Sequence, residues 1–248
     1  RRAEALGIEF HFGEDATGWS PAGDGGYLVH TETEAGETPN YAADKVLVAV
    51  GRRPVTDGLA LENAGVETDD RGFIETDDRT RTAVEGVHAI GDVAGDPLLA
   101  HAASKEGIVA AEVIAGESAS LGYQAVPAAV FTDPEIGTVG MTEADAEAAG
   151  FEVAVGEMPF HASGRALTTG HTDGFVRLVA DADEGTVLGG QIVGPEASEL
   201  IAEVGLAVEL GATLEDVAAT IHTHPTLAEA VMEAAENAQG QAIHTLNR

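Results

Sequence analysis

Two apolar runs that stop at glycine constrain this chain more than any other feature. In "DKVLVAVGRRP", residues 44–54, the segment Val46 to Val50 has no polar position. A strand of this kind offers no face to water, so it predicts burial on both sides, as in a parallel sheet covered by helices. Gly51 ends the run, and Pro54 forbids its simple continuation. The second run, "GVHAIGDVAG", residues 86–95, predicts a short strand ending at Gly91–Asp92. It leads into "PLLAHAASKEGIVAAEVIAG", where Ala102, Ala103, Gly107, Ala110, Ala111 and Ile114 recur at helical spacing and Gly116 supplies a stop. Strand, Gly-Asp turn and helix in this order form the unit of open α/β sheets. There an acidic residue at the strand's end faces the crevice in which nucleotides bind.

Around these runs the pattern changes twice. "RRAEALGIEF" reads as the tail of a helix entering a strand, and "GIEFHF" and "GYLVHTET" read as hairpin strands. With no initiator Met, a start inside a helix-to-strand transition predicts a piece of a longer protein. From about Gly122 a separate α+β domain follows. Its expected parts are a helix in "TEADAEAAG", strands in "FEVAVGEMPF", "GFVRLVAD" and "VLGGQIVG", and helices in "ASELIAEVGLAVELG" and "PTLAEAVMEAAENAQ". Thr213 with Asp216 predicts the capped start of a short helix between those two. The fold class expected is therefore α/β followed by α+β.

Composition narrows function by exclusion. Twelve basic residues against 43 acidic ones give a net charge of −31, and the only lysines are Lys45 and Lys105. Such a surface repels nucleic acid and anionic membranes. Spread along the chain, this charge predicts adaptation to high salt, where a Debye length of about 3 Å screens self-repulsion. No stretch reaches the ~18 apolar residues of a membrane helix, and no signal peptide is visible, so a cytoplasmic location is expected. Cysteine is absent, which excludes a disulfide framework, a thiolate nucleophile and a Cys-type zinc site within the chain.

"HTHPTLAEA", residues 222–230, admits three readings. A metal pair fits poorly, because ligands on a helix favour i, i+4 spacing and no companion cluster accompanies His222 and His224. A helix start fits well, with Thr226 and Glu229 as a capping box and Pro225 ahead of them. An acid–base pair is compatible with that start: a side chain at the third helical position leans back toward the N-terminus, bringing Glu229 to His224. A carboxylate on one imidazole nitrogen sets the tautomer and supports the imidazolium, as a base acting on a thiol requires. His222 then has a structural or supporting role. For His11, His30, His88, His161, His171 and His244 solvated or core roles are expected, and for Trp19 packing.

The string "AIGDVAGDPLLAHAASKEG" resembles the second flavin-binding motif of the pyridine nucleotide–disulfide oxidoreductases. "LVAVGRRP", "VPAAVFTDPEIGTVGMTE", "GRALTTGHTDGFVRL", "VLGGQIVGPEASELI" and "IHTHPTLAEA" extend the resemblance over nearly the whole chain. The "PLLAHxAxxEG" portion is most similar to members that oxidise dihydrolipoamide. The resemblance implies FAD and NAD as cofactors. Asp92 would bind the ribityl or sugar-side hydroxyls of FAD, and Leu98, Leu99, Ala100 and His101 would lie against the flavin. Gly51 would lie where the nicotinamide nucleotide approaches; Arg52, Arg53 and Pro54 match the family string without a ligand role. His224 would be the base and Glu229 its partner, acting on the redox disulfide of the other subunit of a homodimer.

The domains implied are 1–56, the end of a Rossmann-like NAD-binding domain; 57–121, a returning segment of the FAD-binding region; and 122–248, a dimerisation domain. The expected reaction is oxidation of dihydrolipoamide to lipoamide with NAD as acceptor, on a lipoyl-bearing substrate such as that of a 2-oxo acid dehydrogenase-type complex. The G-x-G-x-x-G fingerprints and the redox cysteines are absent, so the chain is expected to be inactive alone. Glutathione reductase, mercuric reductase and a non-catalytic dimerisation module are the alternatives. The ending "HTLNR" lacks the cysteine pair expected of mercuric reductase.

Overall fold

The computed structural model describes residues 2–23 and 25–247, in two compact units divided between Arg53 and Pro54. The first unit contains a short helix α1 (Arg2–Ala5) and strands β1 (Glu14–Pro21), β2 (Tyr27–Thr33) and β3 (Asn40–Ala43). They form an antiparallel meander in the order β1-β2-β3, with Trp19 opposite Val29 and Tyr27 opposite Ala43. Trp19 packs edge-on against Tyr27, ring centroids 5.3 Å apart, although its side chain remains largely exposed.

Two strand expectations in this unit are corrected. Residues 46–50 are not a strand, and Leu47, Val48 and Val50 are 91%, 72% and 88% exposed. A strand that is apolar on both faces forms when parallel neighbours and helices cover it; among the described residues no strand pairs with it. "GIEFHF" is likewise not a strand, and Phe10 stacks on Phe12 near the surface instead. The strand ahead of the first turn is β1, whose sequence "EDATGWSP" carries little apolar alternation and is held by its ladder to β2.

In the second unit, residues 54–99 are mostly loop around a small cluster of Val66, Ile74 and Ala89. The strand expected at residues 86–90 reduces to one isolated bridge, Arg81 to His88, followed by a 3-10 turn at Gly91–Val93. Helix α2 (Ala100–Ile114) follows as expected, burying Ala102, Val109 and Ala110; Ile114 is exposed, and Gly116 closes it at φ 90°.

Beyond it come β4 (Ala128–Val130), β5 (Glu135–Gly140), α3 (Glu143–Ala148), β6 (Val153–Pro159), α4 (Gly164–Thr169), β7 (Phe175–Asp181), β8 (Val187–Gly194), α5 (Ala197–Leu210), α6 (Leu214–Ala219) and α7 (Glu229–Ala238). The strands make one antiparallel sheet in the order β4-β5-β8-β7-β6. Helix α5 covers β5 and β8, while α7 covers β6 and β7, and Phe160, Val176, Leu178, Ile192, Val204 and Val231 fill the space between. Thr142 and Thr213 each form a reciprocal capping box with the Asp three residues on. Gly156 lets α7 approach: a Cβ there would lie 1.9 Å from the Ala234 carbonyl oxygen. No described helix is long and apolar enough to cross a membrane.

Candidate functional site

Helix α7 begins at Glu229, four residues after the expected start at Pro225. Thr226 is therefore not an N-cap. Its hydroxyl donates to the Thr223 carbonyl (2.7 Å), while its backbone N–H donates to Glu229 Oε2 (2.8 Å). The carboxylate half of the capping box thus survives, and Glu229 is the first helical residue rather than the third. From that position its other oxygen, Oε1, lies 2.9 Å from His224 Nδ1. One carboxylate satisfies a loop amide and orients the imidazole.

Burial pushes the Glu229 carboxyl upward. The hydrogen bonds from Thr226 and His224, with the charges of His224 and His222, outweigh it and leave the group below its usual range. Glu229 stays ionised and holds the proton on Nδ1, so Nε2 of His224 is the basic nitrogen. The His224 side chain is 79% exposed, open to a reacting group. The pair can take up and return a proton at Nε2.

His222 differs. Its ring is 6% exposed, with Nε2 2.6 Å from Glu203 Oε1 on α5 and Nδ1 2.8 Å from the Thr220 carbonyl. It ties the loop bearing His224 to α5. Glu203 was not singled out from sequence, since a glutamate on an amphipathic helix has many uses. Among the described residues no group of three or more His, Asp or Glu could hold a metal ion.

The other candidates lie on separate elements. Asp92 is exposed within the Gly91–Val93 turn. Leu98 and Leu99 precede α2, and Ala100 and His101 form its first residues. Leu99 gives the helix no side-chain cap, so its first amides are available to a ligand oxygen. His101 Nε2 lies 2.7 Å from the Pro127 carbonyl, fastening α2 to the segment before β4. Gly51, in the first unit, has φ 108° and nothing within 4 Å of the position its Cβ would take. The Asp92 carboxylate, an acceptor suited to hydroxyls, and the uncapped amides at the start of α2 are a set of polar groups that fits a flavin nucleotide.

Comparison with known proteins gives concordant results. Residues 126–235 match the model of the pyridine nucleotide-disulphide oxidoreductase dimerisation domain, and residues 1–107 match that of the pyridine nucleotide-disulphide oxidoreductases. The chain is 72% identical over its whole length to a dihydrolipoyl dehydrogenase of Haloferax volcanii and 67% identical to one of Halobacterium salinarum. A dihydrolipoyl dehydrogenase of Geobacillus stearothermophilus is 48% identical. In each case the chain spans 52% of the relative's length. Among solved structures it superposes on LpdA of Mycobacterium tuberculosis with a TM-score of 0.86 at 30% identity, covering 95% of this chain and 50% of that one. The flavoprotein disulfide reductase RclA of Escherichia coli, a cysteine-to-serine mutant in a Cu(II) complex, gives 0.85 at 27% identity, covering 93% and 52%.

Proposed function

The chain belongs to the pyridine nucleotide-disulphide oxidoreductase family, and from that premise we propose that it supplies the acid–base part of a dihydrolipoyl dehydrogenase. The reaction is oxidation of dihydrolipoamide to lipoamide with NAD as acceptor. The observation that carries this reading is an exposed imidazole whose Nδ1 is held 2.9 Å from an ionised carboxylate. His224 Nε2 accepts the proton of one substrate thiol. The thiolate attacks one sulfur of the enzyme disulfide and displaces the other. The second substrate sulfur then closes the lipoamide ring and releases the first enzyme sulfur. The substrate dithiol is oxidised, the enzyme disulfide is reduced, and the substrate's two protons pass to His224 and the reduced pair.

The chain contains no cysteine, so the disulfide comes from residues outside it; in a homodimer it is that of the partner subunit. Asp92 would hold the ribityl or sugar-side hydroxyls of FAD, Leu98, Leu99, Ala100 and His101 would lie beside the flavin, and Gly51 would leave room for the nicotinamide nucleotide. Bound FAD supplies the electron conduit between the reduced dithiol and NAD. Residues 1–56 serve the NAD-binding domain, 57–121 the FAD-binding region and 122–248 the dimerisation domain. The lipoyl group arrives on a carrier of a 2-oxo acid dehydrogenase-type complex, in a salt-rich cytoplasm.

The test is dihydrolipoamide-dependent NADH formation by the full-length protein. His224→Gln is expected to lower kcat about 100-fold or more. Undiminished turnover in that variant removes the assignment.

A further inference from the structure

We propose that Glu106 is a positioning residue for the flavin site, coupling the turn that bears Asp92 to helix α2. This rests on the flavin reading above. Glu106 lies two turns into α2, and its Oε2 accepts a hydrogen bond from the Gly91 N–H at 2.6 Å, in a partly buried setting. Gly91 opens the 3-10 turn, so its amide is one of the donors such a start leaves unpaired, and a carboxylate is the acceptor suited to it.

Backbone bonds also hold the turn: the Ala94 N–H donates to the Gly91 carbonyl (2.8 Å) and the Ile74 N–H donates to the Val93 carbonyl (2.8 Å). Both are backbone to backbone. The Glu106 bond alone among these three joins the turn to α2, the helix whose first turn carries Ala100 and His101. The two surfaces are in close contact. Gly91 has φ 70°, and a Cβ on it would sit 3.2 Å from the Ala103 Cβ; a Cβ on Gly107 would sit 3.3 Å from Ile90 Cδ1. Burial first, and then the negative charge of the nearby Glu106, push the Tyr123 phenol upward. Glu106 thus sets the spacing between Asp92 and the start of α2, the two segments assigned to one flavin.

The experiment measures FAD affinity of the full-length apoprotein by titration, with the visible circular dichroism of the bound flavin and the thermal melt of the apoprotein. Glu106→Ala is expected to weaken FAD binding roughly tenfold, as loss of a charged hydrogen bond implies, and to alter the flavin's dichroism. Glu106→Gln keeps an acceptor for the Gly91 N–H and is expected to stay within about threefold of the parent. Parental affinity and dichroism in Glu106→Ala would overturn the inference and leave the flavin reading intact. So would a variant that only melts lower yet binds flavin normally once folded. A parent that fails to take up FAD would overturn both.

Discussion

Replacing Gly156 with alanine tests how helix α7, and with it Glu229, is set against the sheet. The new Cβ would lie 1.9 Å from the Ala234 carbonyl oxygen, 2.6 Å from the Ala238 nitrogen and 2.8 Å from the Ala238 Cβ. A carbon approaches a carbonyl oxygen comfortably at about 3.3 Å or more, so about 1.4 Å of extra separation must be found. No rotamer can provide it, since the opposing atoms are helix backbone and the alanine Cβ is fixed. Val231, Ala234 and Ala235 are fully buried on the same face, so moving α7 opens voids beside the clash. Overpacking in cores costs about 1–3 kcal/mol, and two backbones in contact place this case near about 3 kcal/mol. For a chain of this length that is a fall in Tm of about 6–12 °C. Urea unfolding followed by circular dichroism is expected to show a lower midpoint at unchanged slope. Gly164→Ala is the control: nothing lies within 4 Å of its Cβ position, and stability is expected to hold or rise by a few tenths of a kcal/mol to about 1. Equal midpoints for Gly156→Ala and the parent would refute the close-approach reasoning.

Glu229→Ala removes the acceptor for both His224 Nδ1 and the Thr226 N–H; kcat of the full-length enzyme is expected to fall about 10- to 100-fold with little change in KM, and steady-state kinetics check it. His244 Nδ1 is bonded to the buried Glu233 carboxylate, and first that bond and then the charge raise its pKa above the ordinary value. Its contribution to docking residues 242–247 is therefore complete below about pH 6.5 and is lost as pH rises through the raised value. An NMR titration is expected to give a lower His244 midpoint in Glu233→Gln, and an unchanged midpoint would contradict the coupling. With a net charge of −31, raising KCl from about 0.1 M to about 3 M is expected to raise Tm; a flat Tm would dismiss salt adaptation.

Local signals were legible wherever they are self-sufficient. Thr142 and Thr213 announce helix starts because a hydroxyl and a carboxylate three residues apart satisfy each other's backbone amides. The strands β6, β7 and β8 stand out by apolar patterning, and α2 and α5 by small and apolar periodicity. Strand β1 escaped notice because its ladder to β2 creates it, not a buried face of its own. The pairings of Glu106 with Gly91 and Glu203 with His222 join residues 15 and 19 positions apart. No local pattern marks Glu203 among the chain's 43 acidic residues, and Glu106, though it falls in the string "PLLAHxAxxEG", carries no local sign of its bond to Gly91.

The sequence by itself determined the charge, the lack of any thiol, the succession α3, β6, β7, β8, α5 and α6 in the α+β domain and the motif that brings a histidine and a glutamate into one short segment. These are local or additive properties, readable one residue at a time. Tertiary structure decided the rest. Val46 to Val50 is strand-like in composition yet unpaired, because a strand is made by its neighbours as much as by its side chains. Helix α7 starts at Glu229 and not at Pro225, and from there the Glu229 carboxylate meets the Thr226 amide and the His224 ring together. His222 is buried against α5 while His224, two residues on, is open to solvent. That difference separates a structural histidine from a candidate base, and it follows from which side of the loop packs on the helix.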